Sequence, residues 1–202
     1  MFEINITKIP VYWTTCDKSI NRHPAMESML DGLGIKGTKI NGPITNPYTI
    51  GVATGYLEAL KKSKPPFLIL EDDASLVDPS LITPTSFEFE DGIDAIYLGT
   101  STYGRIRKNT VNGGVIAADY SKDFLQVFNM LAFHAVVYIS EDYVNECINQ
   151  LEKFLVNPVG GCDDPIAEVM WKYNVLALKK PIFYQNDGRS NEATKMPIVP
   201  LI

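Results

Sequence analysis

At 202 residues, with 46% apolar content and mean hydropathy of -0.01, the chain suits one globular domain with a sizeable core and is too apolar for disorder. A net charge of -6 and a pI near 4.9 exclude a broad nucleic-acid surface, which needs concentrated basic charge, while leaving enough Lys and Arg to hold one nucleotide. Apolar runs fall short of the ~18 residues of a membrane helix. The start, Met1-Phe2-Glu3-Ile4-Asn5, lacks the basic-then-apolar order of a signal sequence, so no transmembrane segment and a cytoplasmic location are expected. Cys16, Cys147 and Cys162 are odd in number and widely spaced, which suits ordinary thiols rather than a disulfide framework or a zinc site.

In chain order, Ile9 to Thr15 reads as a first strand. Pro24 opens a helix whose Ala25, Met26, Met29, Leu30 and Leu33 recur at helical spacing until Gly32 and Gly34 stop it. A short strand over Thr38 to Asn41 follows. Asn46 as a cap and Pro47 in the first turn start a second helix, with Val52, Tyr56, Leu57 and Leu60 on its buried face. Phe67 to Leu70, then Ala95 to Leu98, read as strands buried on both faces. The order β-α-β-α-β predicts an α/β domain with a largely parallel sheet, and no repeat or linker divides residues 1–202 into two domains.

Between Ser101 and Asp119 the Gly, Asn and Arg content suggests an irregular or hairpin region. Ala135 to Ile139 is expected as a strand, and Ser140 as the cap of a helix with Glu141 and Asp142 at its positive end and Val144, Ile148, Leu151 and Leu155 inward. Asp163-Asp164-Pro165 begins a helical stretch to about Tyr173, and Val175 to Tyr184 is expected as a final strand.

The chemistry concentrates in two acidic clusters. Glu71-Asp72-Asp73 ends a buried apolar run, where ligands gather in open α/β sheets, and three adjacent carboxylates repel unless a cation or solvent relieves them. A metal site and a solvated acidic turn both fit that pattern. Asp163 and Asp164 read either as helix caps or as groups that orient or deprotonate a hydroxyl. His134 reads as a structural residue or as an acceptor-side contact. Trp13 and Trp171 suit core positions or stacking on a sugar, Tyr103 and Tyr120 an acceptor site, and Arg105, Arg107 and Lys108 a phosphate contact or a solvated loop.

Leu68-Ile69-Leu70-Glu71-Asp72-Asp73-Ala74 resembles the acidic signature of glycosyltransferase family 25, the lipopolysaccharide-type sugar transferases with a GT-A fold. Asp17-Lys18-Ser19-Ile20-Asn21-Arg22 with the following helix resembles that family's opening polar loop. Phe133-His134-Ala135-Val136-Val137-Tyr138 resembles its His-Ala-Tyr segment, and Lys180-Pro181-Ile182-Phe183-Tyr184-Gln185 with Ser190 its closing segment. Two departures stand out. Gly55-Tyr56 occupies the place of the family's Ser-His pair, and Gln185, Asn186 and Asp187 stand where many GT-A enzymes have a metal-binding histidine.

The resemblance implies a GT-A-like, Rossmann-type three-layer α/β fold with a mostly parallel central sheet. It implies metal-dependent transfer of a sugar from a nucleotide-sugar, most simply a UDP-sugar, to a hydroxyl of a glycan or other acceptor. Inversion at the anomeric carbon is the implied outcome. Asp73 would bind Mn2+ or Mg2+ directly, with Glu71 at the metal or ribose and Thr14, Thr15, Arg22 and Asp72 on the donor side. Asp164 would be the base, Asp163 would bind acceptor hydroxyls, and His134 and Gln185 would be secondary contacts. Two alternatives share the fold. A sugar nucleotidyltransferase usually carries a Gly-rich basic loop after its first strand, unlike Thr14-Thr15-Cys16-Asp17, and a non-catalytic nucleotide- or sugar-binding protein would lack turnover.

Overall fold

The computed structural model describes residues 2–16, 21–77, 85–101, 103–104 and 113–186. Asp17, Lys18, Ser19 and Ile20, together with Arg105, Arg107, Lys108, Asp187 and Ser190 and the side chain of Tyr103, fall outside that description.

The first half alternates as expected. After a short strand β1 (Phe2–Asn5) come β2 (Val11–Cys16), α1 (His23–Gly32), β3 (Gly37–Gly42), α2 (Tyr48–Leu60) and β4 (Phe67–Glu71). β2 pairs in parallel with both β3 and β4. Phe67, Leu68, Ile69 and Leu70 have no exposed surface, which explains their unbroken apolar run: side chains on each face of β4 meet a covered layer. Phe67 and Ile69 face α2 and α3 (Glu141–Val156), whereas Leu68 and Leu70 face α1 and the β1 side.

The second half reverses direction twice. β5 (Ala74–Leu76), β6 (Ser86–Phe89) and β7 (Ala95–Tyr97) precede a small hairpin of β8 (Tyr103–Gly104) with β9 (Gly113–Gly114). β10 (Ile116–Asp119), β11 (Phe124–Asn129) and β12 (Ala135–Tyr138) follow, then α3, α4 (Asp164–Val169), a 3-10 turn over Met170–Lys172, β13 (Val175–Leu178) and β14 (Phe183–Gln185). The main sheet has eight strands in the order β10-β11-β13-β7-β12-β4-β2-β3. It is mixed rather than mostly parallel: β12 lies antiparallel between β4 and β7, and β11 is antiparallel to β10 and β13. A strand buried on both faces reads as an apolar run in either direction, so the run Ala135 to Tyr138 carries no sign of its reversal.

Other departures are local. The expected final strand divides at Lys179-Lys180: Val175–Leu178 joins the main sheet, whereas Phe183–Gln185 pairs with β5. β1 and β6 form a separate antiparallel pair, missed because each is only four residues long and β1 shows no alternation of buried and exposed positions. Trp171 is exposed, not core, while Trp13 is buried as expected. Asn46 does not cap α2. Pro47 is the cap residue, and the Thr45 hydroxyl accepts the Gly51 N–H at 2.7 Å. Ser140 caps α3 as expected, accepting the Tyr143 N–H at 3.2 Å.

Glycines press α2 onto the end of β3. A Cβ at Gly51 would lie 2.1 Å from the Pro43 carbonyl oxygen, and one at Gly55 would lie 3.1 Å from the Gly42 Cα and N. The obstacles are backbone atoms, which cannot turn aside. Alanine in a helix interior gains ~1 kcal/mol of propensity over glycine, but overpacking costs ~1–3 kcal/mol or more. Gly51→Ala is therefore expected to lower stability by about 2 kcal/mol in urea denaturation, whereas Gly32→Ala, with nothing within 4 Å, should be neutral or stabilising. Equal effects at the two positions would refute the close-contact explanation.

Candidate functional site

The parallel strands β2, β3, β4 and β7 end on one edge of the sheet, and the antiparallel β12 begins there. That edge collects Cys16, Glu71, Gly99 and His134. Because strand side chains alternate, the end of β4 delivers its acids to different faces.

Glu71 continues the face of Phe67 and Ile69, and its charge acts on the buried Tyr56 and Cys162 of that same layer. Its backbone N–H donates to the His134 carbonyl at 3.1 Å. Burial, then the negative charges of Asp73, Asp163 and Asp72, push its carboxyl well above the usual carboxylate range, against which Arg22 gives partial relief. Asp163 lies 92 positions after Glu71 in the chain, yet it belongs to the same field.

Asp72 takes the opposite side. Thr15 Oγ1 donates to its Oδ2 at 2.5 Å, and Arg22 Nη1 donates to its Oδ1 at 3.0 Å. The same Arg22 nitrogen reaches Asp73 Oδ2 at 3.3 Å, where Gln185 Nε2 also donates at 3.2 Å. β14 thus holds the acidic turn by side chain and backbone together, since the Asn186 N–H donates to the Asp73 carbonyl at 2.7 Å. Arg22 is raised above its ordinary value: burial opposes this, and the hydrogen bond to Asp72 with the charges of Asp73 and Asp72 outweighs it. A cleft of about 1000 Å³ opens beside this group, and Arg22, Asp72 and Asp73 line it together with the apolar Met29, Leu33 and Leu76.

Thr14 and Thr15 are both buried. Thr14 Oγ1 donates to the Leu70 carbonyl at 3.4 Å, and Thr15 is occupied by Asp72 and His23, so both act as supports behind the site. His23 and Lys39 are contributors that sequence reasoning missed. His23 had a signal, being one of only two histidines and directly following Arg22.

Asp163 makes no side-chain cap bond to α4, contrary to the capping reading. Asp164, the first helical residue, receives the Gly161 N–H on Oδ2 at 2.9 Å. Both carboxylates fold back over Gly161, where an added Cβ would lie 2.6 Å from Asp163 Oδ1 and 3.6 Å from Asp164 Oδ1. His134 is buried, and its Nε2 lies against Gly99, where a Cβ would approach to 2.1 Å. Burial lowers the ring to about 4, which keeps the imidazole neutral at pH 7. Tyr120 is partly exposed and donates to Glu90 at 3.0 Å, away from the cleft lining.

Among the described residues, no three His, Cys, Asp or Glu side chains form a ready metal cage, and no helix is long and apolar enough to cross a membrane. All three cysteines are free thiols. No protein-family model matches the chain, and a search of curated proteins returns no match.

Glu71 and His134 have opposite pH signatures. A carboxyl raised in the folded state penalises folding at neutral pH, and that penalty fades as pH falls through the raised value toward the unfolded one. Glu71→Gln should raise the thermal midpoint at pH 7.5 by a margin that shrinks in acid; a lowered midpoint would contradict the crowding of charge around Glu71. His134 has a folded value below its unfolded ~6.5, so its neutral burial loses stability as pH falls from ~6.5 to about 4, by up to ~3 kcal/mol. His134→Leu should flatten urea-derived stability over that interval, and an unchanged slope would rule the assignment out.

Proposed function

We propose that the chain is a metal-dependent glycosyltransferase of hexosyltransferase type, acting in glycan biosynthesis with a GT-A-like arrangement of its mixed sheet. It moves a sugar from a nucleotide-sugar, most simply a UDP-sugar, to an acceptor hydroxyl. The reading rests on one observation above all: the charges of Asp72, Asp73 and the distant Asp163 all act on Glu71 at the end of β4, while Asp72 and Asp73 line a cleft together with Arg22. Carboxylates crowded until one resists ionisation are costly to the fold, and functional sites are where such arrangements concentrate.

The donor set suits a hard divalent cation shared with a ligand better than a dedicated protein cage. Mg2+ and Mn2+ accept one or two carboxylates and complete their shells with phosphate and water, so Asp73 and Glu71 are the residues that would hold one. Such a cation neutralises a diphosphate and favours its departure. Arg22 supplies positive charge in the lining of the cleft, positioned by Asp72 and Asp73. Asp164 is the candidate base, its carboxylate oriented by the Gly161 N–H. Asp163 is the second candidate because its charge reaches Glu71, and its other role is to bind acceptor hydroxyls.

Calorimetric titration with UDP and Mn2+ tests the donor side: Asp73→Ala should weaken metal-dependent binding by about tenfold or more. Equal binding by wild type and variant would remove Asp73 from the metal. Turnover of UDP-sugars tests the base. Loss of ~10²–10⁴ in rate with donor binding retained is expected for Asp164→Asn, and the same loss in Asp163→Asn alone would transfer the role to Asp163.

A further inference from the structure

Behind Asp72 runs a chain of hydrogen bonds that crosses from β4 to β3. Thr15 Oγ1 lies 2.5 Å from Asp72 Oδ2 and 2.8 Å from His23 Nε2, and His23 Nδ1 lies 3.3 Å from Lys39 Nζ. Thr15 also reaches the Cys16 carbonyl at 3.3 Å, a longer and weaker option for its single proton. Register explains the assembly. Trp13 pairs with Lys39 across β2 and β3, and Thr15 lies two positions on from Trp13, hence on the same face, under the start of α1.

Chemistry gives this chain one direction. An ammonium group has donors and no acceptor, so Lys39 donates and His23 Nδ1 carries a lone pair. The ring that fits is neutral and protonated on Nε2, and that N–H donates to Thr15 Oγ1. Thr15 then turns its own proton to Asp72, and 2.5 Å is the short distance expected when a hydroxyl meets a carboxylate. Lys39 is steadied by the face of Trp13, 5.5 Å from the ring centroid, and the Trp13 ring meets His23 edge-on at 5.2 Å. His23 itself is buried.

We propose that His23 is the positioning residue of the acidic site: through Thr15 it fixes one oxygen of Asp72, so that the other is presented to Arg22 at the cleft. It does not itself line the cleft, and its side-chain bonds run to Thr15 and Lys39. Its role in donor binding rests on the glycosyltransferase reading, whereas the directed chain and its hold on Arg22 do not.

Nitrogen NMR of the two imidazoles at pH 7.5, assigned with His23→Gln, tests the chain first. His23 should appear as the Nε2–H tautomer, and Lys39→Met should let it sample both tautomers. An Nδ1–H or averaged ring in the wild type would overturn the proposal whatever any ligand does. The second measurement is rotation of the Arg22 guanidinium by NMR, together with titration of UDP and Mn2+. Thr15→Val should speed that rotation and weaken binding about tenfold, and Thr15→Ser, which restores the hydroxyl, should reverse both effects. Wild type that binds no UDP while Arg22 still responds to Thr15→Val supports the chain and refutes the donor reading. Unchanged Arg22 rotation in a folded Thr15→Val, checked by near-ultraviolet circular dichroism, refutes the chain; if that variant does not fold, His23→Gln supplies the same comparison.

Discussion

Four residues with no exposed surface, Phe67 to Leu70, hold the acidic edge in place. β4 is hydrogen-bonded in parallel to β2 on one side and antiparallel to β12 on the other, and both its faces are covered. Burying four large apolar side chains stabilises by roughly 10 kcal/mol as an upper estimate. Each like-charge pair at this partly solvated end of the sheet opposes folding by up to about 4 kcal/mol at the effective dielectric of ~20 found for such sites, and Arg22 offsets part of the total. The strand can therefore carry Glu71, Asp72 and Asp73 against their repulsion, and a weaker strand would let the turn splay toward solvent.

Alternation along β4 then gives neighbouring acids different chemistry. Asp72 enters a place already furnished with donors, from Thr15 on one oxygen and Arg22 on the other. Glu71 enters the α2 and α3 side, where buried tyrosines and Asp163 leave its charge poorly compensated. One carboxylate is rigid and satisfied, and the next resists ionisation. Asp72 thereby serves as the anchor for Arg22.

Much of this was legible, and what was not has physical causes. The β2-α1-β3-α2-β4 order could be read because Pro24 marks a helix start, Gly34 a helix end, and the apolar spacing changes period between elements. Gln185, expected as a secondary contact in the place of the family's metal-binding histidine, bonds to Asp73. The direction of β12 could not be read, since burial on both faces erases the alternation that marks a sheet's orientation. The Lys39-His23-Thr15 chain was hidden for a different reason. It depends on the pairing of Trp13 with Lys39 across two strands, and such register is a tertiary fact that no local pattern encodes.

Asp163 shows how the two halves of the chain become one site. It stands after Gly160, whose φ of 83° lies in the left-handed region, and beside Gly161, whose missing side chain leaves room for the Asp163 and Asp164 carboxylates. Buried Ile166, Ala167 and Val169 then seat α4 against the sheet, and Asn129 Nδ2 on β11 donates to the Ala167 carbonyl at 3.1 Å. With α4 fixed from below and its preceding turn folded back, Asp163 has little freedom to retreat from Glu71. The repulsion between them is thus imposed by the apolar packing of α4 and by the glycine turn against which the Asp163 carboxylate lies.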